Sequence, residues 1–351
     1  MSQFMYYFRW ALIVTFVGLG LSLWLGWFYS GTIGGALAFL MIGAILAVLE
    51  ISLSFDNAIV NANKLKQMTP VWQRRFLTWG IIIAVFGMRI VFPLLIVVVA
   101  AKIGPIQAIV LAASEPDEYA RIIGDAHLSI AAFGGAFLMM VALNYFVDEA
   151  KDVDWIAAIE RGMRRYASVR GIEVALVLTV MLFFVWLLPS EDDLPFLFAA
   201  VAGLLTFLAV EVLGHVLDAS QEATSLAVKG GLGAFLYLEV LDASFSFDGV
   251  IGAFALTQNL FLIAIGLGIG AMYVRSMTIM LVERQTLAQF RYLEHGAFWS
   301  ILILSIIMFT QTVVHVSELI TGLLGATFIG LSLWSSVRHN RADRLIRQRV
   351  G

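Results

Sequence analysis

Long apolar runs separated by short polar connections dominate the chain. Ten of them reach or approach the roughly 20 residues that a helical membrane span requires. They run Trp10 to Phe28, Ile33 to Asn61, Phe76 to Ala101 with Pro93 inside it, Leu128 to Val147, and Ile172 to Leu188. The second five are Phe196 to Leu217, Gly230 to Leu256, Leu260 to Val282, Phe298 to Val314 and Leu319 to Val337. The pattern predicts an all-α, polytopic transmembrane bundle of about ten spans. No small-residue cleavage site follows the first run, which reads as a retained span.

Composition agrees. Of 351 residues, 61% are hydrophobic and 13% charged, against about 25% charged in soluble domains. Membrane lipid is therefore the chief surrounding partner, and one membrane domain over residues 1–351 is expected. There is no cysteine, which excludes disulfides and thiolate metal sites. No basic nucleic-acid footprint stands apart from the tail, and no phosphate-binding loop is present.

The polar connections alternate in charge. Lys64, Lys66, Arg74 and Arg75 follow the second run; Lys151, Arg161, Arg164, Arg165 and Arg170 follow the fourth; Arg338, Arg341, Arg344, Arg347 and Arg349 end the chain. Glu115, Asp117 and Glu118, then Glu191, Asp192 and Asp193, fall on the other side. The positive-inside rule places both termini in the cytoplasm of a multi-pass protein of the cell (inner) membrane. Residues 148–170 read as a cytoplasmic amphipathic linker between a first half, 10–147, and a second half, 196–337. Residues 338–351 form a basic tail. Linker and tail offer a place for a cytoplasmic stress-complex partner.

One stretch occurs twice. Val48-Leu49-Glu50-Ile51-Ser52-Leu53-Ser54-Phe55-Asp56-Asn57-Ala58-Ile59 matches Val240-Leu241-Asp242-Ala243-Ser244-Phe245-Ser246-Phe247-Asp248-Gly249-Val250-Ile251 at seven of twelve positions. Glu50 faces Asp242 as a further acidic pair. The copies sit in the second and seventh runs, five positions apart in the series, so they travel in opposite directions. This predicts an inverted internal repeat, the plan of transporters whose site lies at the midplane between the halves.

A carboxylate at the bilayer centre costs at least about 2.5–3.5 kcal/mol. The motifs place Glu50, Asp56, Asp242 and Asp248 there, with Glu239 one turn earlier. A cation is the least costly partner for such a group. Six residues turn a helix by about 240°, so the acids within one motif point apart in a straight helix. An interruption would let them converge, and Ser54, Ser246, Asn57 and Gly249 permit one; a straight helix with each acid facing a different neighbour is the alternative. Carboxylates, hydroxyls of Ser54 and Ser246, the Asn57 amide and freed carbonyls are hard oxygen donors that suit Mn²⁺, Ca²⁺ or Mg²⁺. Arg89 and Arg275, each one span beyond a motif, read as counter-charges or as helix-to-helix hydrogen-bond donors. Glu211, His215 and Asp218 share one helix face and read as a second cation site, a proton path, or a water-facing helix end. Gly266, Gly268 and Gly270 read as close helix packing.

The run Glu50 to Asn57, centred on Ser54-Phe55-Asp56-Asn57, resembles the signature of the TerC family of integral membrane proteins. The chain as a whole resembles larger relatives of that family filed as a domain of unknown function. The resemblance covers roughly two-thirds of the chain. It implies membership of the superfamily of lysine-type amino-acid exporters and cation exporters, in which TerC-like proteins are associated with tellurite resistance and manganese export. The family's acidic positions map onto Glu50, Asp56, Asp242 and Asp248; Gly249 stands where the first copy has Asn57, so no amide carries over there. The expected activity is secondary, proton-coupled export of a divalent cation, Mn²⁺ first, as substrate. Export of a small organic cation such as a basic amino acid is the alternative. A remoter one is an intramembrane aspartyl protease using Asp56 and Asp248; otherwise no enzymatic activity is expected.

Overall fold

A computed structural model of the chain describes residues 3–66, 68–80, 83, 87, 91–148, 151–166, 168–169, 171–222, 231–257, 259–284, 289–314, 316 and 318–350. Among them every regular element is helical. Helix α1 is Gln3–Ser30 and α2 Ile33–Leu53; α3 is Phe55–Lys66 and α4 Pro70–Arg75, followed by a π-helical turn, Phe76–Gly80. Then come α5 (Phe92–Ala101), α6 (Pro105–Ser114), α7 (Pro116–Asp125), α8 (His127–Phe146), α9 (Ala157–Arg165), α10 (Ile172–Leu187) and α11 (Asp193–Glu222). The chain closes with α12 (Leu232–Leu256), α13 (Leu260–Glu283), α14 (Leu293–Gln311) and α15 (Glu318–Val350).

Of the ten predicted spans, six are, among the described residues, helices long and apolar enough to cross a bilayer: Met5–Ser30, Ile33–Ile51, His127–Phe146, Asp193–Leu213, Leu260–Glu283 and Leu293–Gln311. The third predicted span, Phe76 to Ala101, lies partly outside the described residues, and two others fall short for visible reasons. Helix α10 has 16 residues, about 24 Å at 1.5 Å per residue, and α12 carries Glu239, Asp242 and Asp248. The acidic stretch after α5, which its charges marked as a loop, is helical. Pro105 and Pro116 each open a helix, where proline's missing N–H costs nothing, and Gln107 caps the Gly104 N–H at 3.0 Å.

Small residues bring the helices together. Gly31, at φ +62°, ends α1, and Thr32 caps α2 through the Gly35 N–H at 3.1 Å. A Cβ at Gly26 would stand 2.7 Å from the Gly35 carbonyl oxygen. On α13, a Cβ at Gly266 would meet Leu46, and one at Gly270 would meet the stem of Glu50. Small residues four apart are what let helix backbones approach in lipid. Helices α8, α11 and α14 enclose the main core, with Phe137, Phe146, Phe196, Phe207 and Phe309 fully buried. By contrast only 22% of the apolar stretch of α1 is buried. Phe16, Trp24, Trp186 and Phe198 stand outward with it, the surface of a protein whose solvent is hydrocarbon.

At one end of the bundle lie Arg284 beside the Tyr7 ring, Lys66 bridged to Glu294, and Asn340 donating to the Gln289 carbonyl. The 148–170 segment closes this arginine-rich end as a strap, helical only over α9. Glu160, fully buried, holds it down. Its carboxylate accepts from Lys151 Nζ (2.6 Å), the Ile156 N–H (3.0 Å), the Trp155 N–H (3.2 Å), and from His295 Nδ1 (3.0 Å) and Trp299 Nε1 (2.9 Å) of α14. Burial raises its pKa, but the hydrogen bonds from His295, Lys151, Ile156 and Trp299 prevail and hold it well below the usual glutamate range.

Candidate cation site

The first motif interrupts its helix. Helix α2 stops at Leu53, Ser54 takes φ −101° and ψ 15°, and α3 starts at Phe55. Ser54 bonds backward twice: its N–H to the Glu50 carbonyl at 3.0 Å and its hydroxyl to Glu50 Oε1 at 2.9 Å. Asp56 lies in the first turn of α3, where the helix presents unpaired N–H groups and favours negative charge. Its Oδ1 takes the Asn57 N–H at 2.9 Å and its Oδ2 the hydroxyl of Ser300, on α14, at 2.9 Å. Glu50, Asp56 and Asn57 are all buried. Of the two backbone alternatives, this copy takes the broken one. The second copy lies within the uninterrupted α12.

The two copies meet. Asn61 Nδ2 donates to Asp242 Oδ1 at 2.9 Å, and Lys64 Nζ stands 5.0 Å from the Tyr237 ring centre. Advancing along α3 from 61 to 64 thus retreats along α12 from 242 to 237, so the helices run antiparallel.

Several buried oxygens in this interface find no donor. Both carboxylate oxygens of Glu239 and the Oδ1 atoms of Asn57 and Asn61 have no hydrogen-bond partner among the described residues. The Asn61 amide is held in one sense, because flipping it would set its oxygen against the Asp242 carboxylate. Glu239 Oε1 lies where a Cβ on Gly80 would come within 2.8 Å. The described residues 76–80, 83, 87 and 91 are π-helical, a backbone widening common at functional sites.

Arg275 does not sit on a described carboxylate. Its Nε and Nη2 both donate to the Leu77 carbonyl, at 3.1 and 2.9 Å. Arg89 lies outside the described residues, as do the side chains of Ser246, Asp248, His215 and Asp218. Glu211 is half-buried on α11. Among the described residues no three His, Cys, Asp or Glu side chains converge closely enough to hold a metal. Glu50 and Asp56 lie on either side of the break, Glu50 on α2 and Asp56 on α3. What lies along this interface instead is Asp56 with the Ser300 hydroxyl of α14 and, further along α3, Asn61 with Asp242 of α12. Asn61 and Ser300 were not singled out in the sequence. Asn61 had a signal, a polar residue one turn beyond Asn57 on the same face; Ser300 had none.

The surroundings differ at the two ends. Towards the arginine-rich end a cavity of about 520 Å³ opens, lined among others by Asn63, Lys64, Tyr145, Asp148, Glu173 and Tyr237. Towards the other end Leu46, Val250, Ala253, Ile263 and Leu267 form a closed apolar cluster.

A family model described as "Protein of unknown function (DUF475)" matches residues 55–343. The chain belongs to the DUF475 family. No curated protein matches it, and no solved structure does. The DUF475 match starts at Phe55, so it takes in α3, α12 and α14, which carry Asp56, Asn61, Asp242 and Ser300.

Proposed function

We propose that this protein is a secondary transporter that exports a hard divalent cation, Mn²⁺ first, in exchange for protons. The observation that carries the reading is the Asn61–Asp242 bond. It joins the two motif helices, antiparallel, across 181 residues of sequence. That supports an inverted repeat whose halves share one site near the midplane of a bundle of about ten spans. Oxygen donors of carboxylate, amide and hydroxyl type suit Mn²⁺, Mg²⁺ or Ca²⁺ better than softer metals. The TerC likeness of Glu50 to Asn57 leads to the same substrate.

In this reading the arginine-rich end faces the cytoplasm, and the 520 Å³ cavity is the entry from it. The cluster around Leu46 and Val250 seals the way out. Asp56 meets the ion with its charge already stabilised by the α3 N-terminus and by Ser300, which limits the cost of keeping an empty carboxylate in the membrane. Rocking of one half against the other would open the sealed side, and protons taken up by the emptied acids would return the protein to its starting state.

A second reading, export of a small organic cation, draws on the same cavity, where Tyr145 and Tyr237 stand beside Asp148 and Glu173. Aromatic faces and carboxylates together recognise ammonium groups.

Efflux from vesicles reconstituted with the full chain decides between them. Mn²⁺ flux should vanish in Asp56→Asn and Asp242→Asn, with lysine unable to compete. Wild-type flux in both variants sinks the metal reading, and competition by lysine moves the weight to the organic cation.

A further inference from the structure

We propose that the protein holds a second cation subsite, separate from Asp56 and nearer the arginine-rich end, built by Asn61, Asp242 and Glu239. This rests on the cation-transport reading and adds a waiting position to it. Asn61 follows Asp56 by five residues on α3, about 7.5 Å along the axis. Glu239 and Asp242 are three apart on α12 and so share a face, and the Asn61–Asp242 bond turns that face to α3.

The argument is one of unmatched acceptors. Glu239 is 6% exposed and Asn61 3%. Their three oxygens, Oε1, Oε2 and Oδ1, meet no donor among the described residues. A buried acceptor without a donor costs about 1–3 kcal/mol, and more when charged. The described cations nearby are engaged elsewhere: Arg275 on the Leu77 carbonyl, Lys64 against the Tyr237 ring. A cation from outside the chain, seated beside Asp242, would satisfy these oxygens. Gly80 belongs to the site as well, because any side chain there would press on Glu239 Oε1.

The subsite has no counterpart in the other motif. With Val48 aligned on Val240, Glu239 aligns with Ala47 and Asn61 with Ala253, both buried. The subsite is thus a one-sided addition on the flank that carries the cavity, as a staging position for an incoming ion requires.

Mn²⁺ binding to the full-length protein in detergent, measured by equilibrium dialysis, tests this. Wild type should bind two Mn²⁺ per chain. Glu239→Gln and Asn61→Leu should each bind one, and Asp56→Asn should keep the one they lose. Gly80→Ala, which leaves every ligand in place, should weaken one of the two sites at least tenfold; it also guards against a ligand variant that fails to fold. A single wild-type site, or two sites surviving in both Glu239→Gln and Asn61→Leu, overturns the proposal. The transport reading fails separately: two bound ions together with unimpaired efflux by Asp56→Asn would leave the subsite standing and remove the function.

Discussion

The two flanks of the motif pair solve opposite problems with nearly the same sequence. On one flank Glu50 lies under Gly270, with its Oε1 tied to Ser54 and the apolar cluster of Leu46, Val250 and Ala253 close by. On the other, Asp242 bonds to Asn61, Glu239 has no donor among the described residues, and a cavity opens beyond. The backbones differ too. The first copy breaks at Ser54, where Asp56 captures the Asn57 N–H, and the second stays helical through Leu232–Leu256. Local side-chain capture competes with the helix ladder, and Gly249 replaces Asn57 in the second copy. A shared motif therefore sets which acids enter the membrane, while its neighbours decide whether each acid is sealed in or left facing polar space.

That contrast can be broken directly. Ala47→Glu copies the acid of the open flank into the sealed one, beside the apolar cluster of Leu46, Val250 and Ala253. It should destabilise the protein by about 3–5 kcal/mol, the cost of an uncompensated buried charge, read as a large fall in thermal midpoint in detergent. Full stability would show that the sealed flank is wetter than Ala47 and Ala253 imply.

Glu160→Gln tests what closes the open flank from beyond. It strips the partner from Lys151, whose side chain is only 7% exposed, and weakens the acceptor that His295 and Trp299 share, at a cost of about 3–5 kcal/mol, the range for a buried pair that loses one partner. The sign with pH is fixed by the depressed pKa of Glu160. Its stabilisation is complete above the ordinary glutamate value, about 4.3, and is lost as pH falls below that towards its own lower pKa. Acid denaturation midpoints should show this loss in wild type and not in Glu160→Gln.

The converse substitution on the open flank should run the other way. Glu239→Ala removes an acid without a donor, so the metal-free protein should gain about 1–2 kcal/mol while losing part of its Mn²⁺-dependent stabilisation. A clear loss of metal-free stability would mean that Glu239 has a structural partner. The smallest effect is expected at Ser54→Ala, about 1 kcal/mol, for one hydrogen bond to Glu50. Efflux would drop further than stability if the break at Ser54 matters for the ion.

Much of this was legible beforehand. The run lengths gave the positions of the long helices, because lipid demands long unbroken apolar stretches. The repeated acids marked α2, α3 and α12. The small-residue reading of Gly266 and Gly270 matches their contacts with Leu46 and Glu50. What could not be read depends on register between distant segments. Asn61 meets Asp242 across 181 residues and Ser300 meets Asp56 across 244; no local pattern encodes either distance. Arg275 illustrates the limit. Its sequence left open a counter-charge or a helix-to-helix hydrogen bond, and its place on α13 gives the second, with the guanidinium on the Leu77 carbonyl.

Adjacent residues on α14 look two ways. Trp299 grips the strap through Glu160, and Ser300 grips Asp56. About 100° of helical arc separates them, so the helix cannot roll without letting go of both. A pull on the strap would thereby reach Asp56, and, on the transport reading, an ion settling there would be announced at the surface.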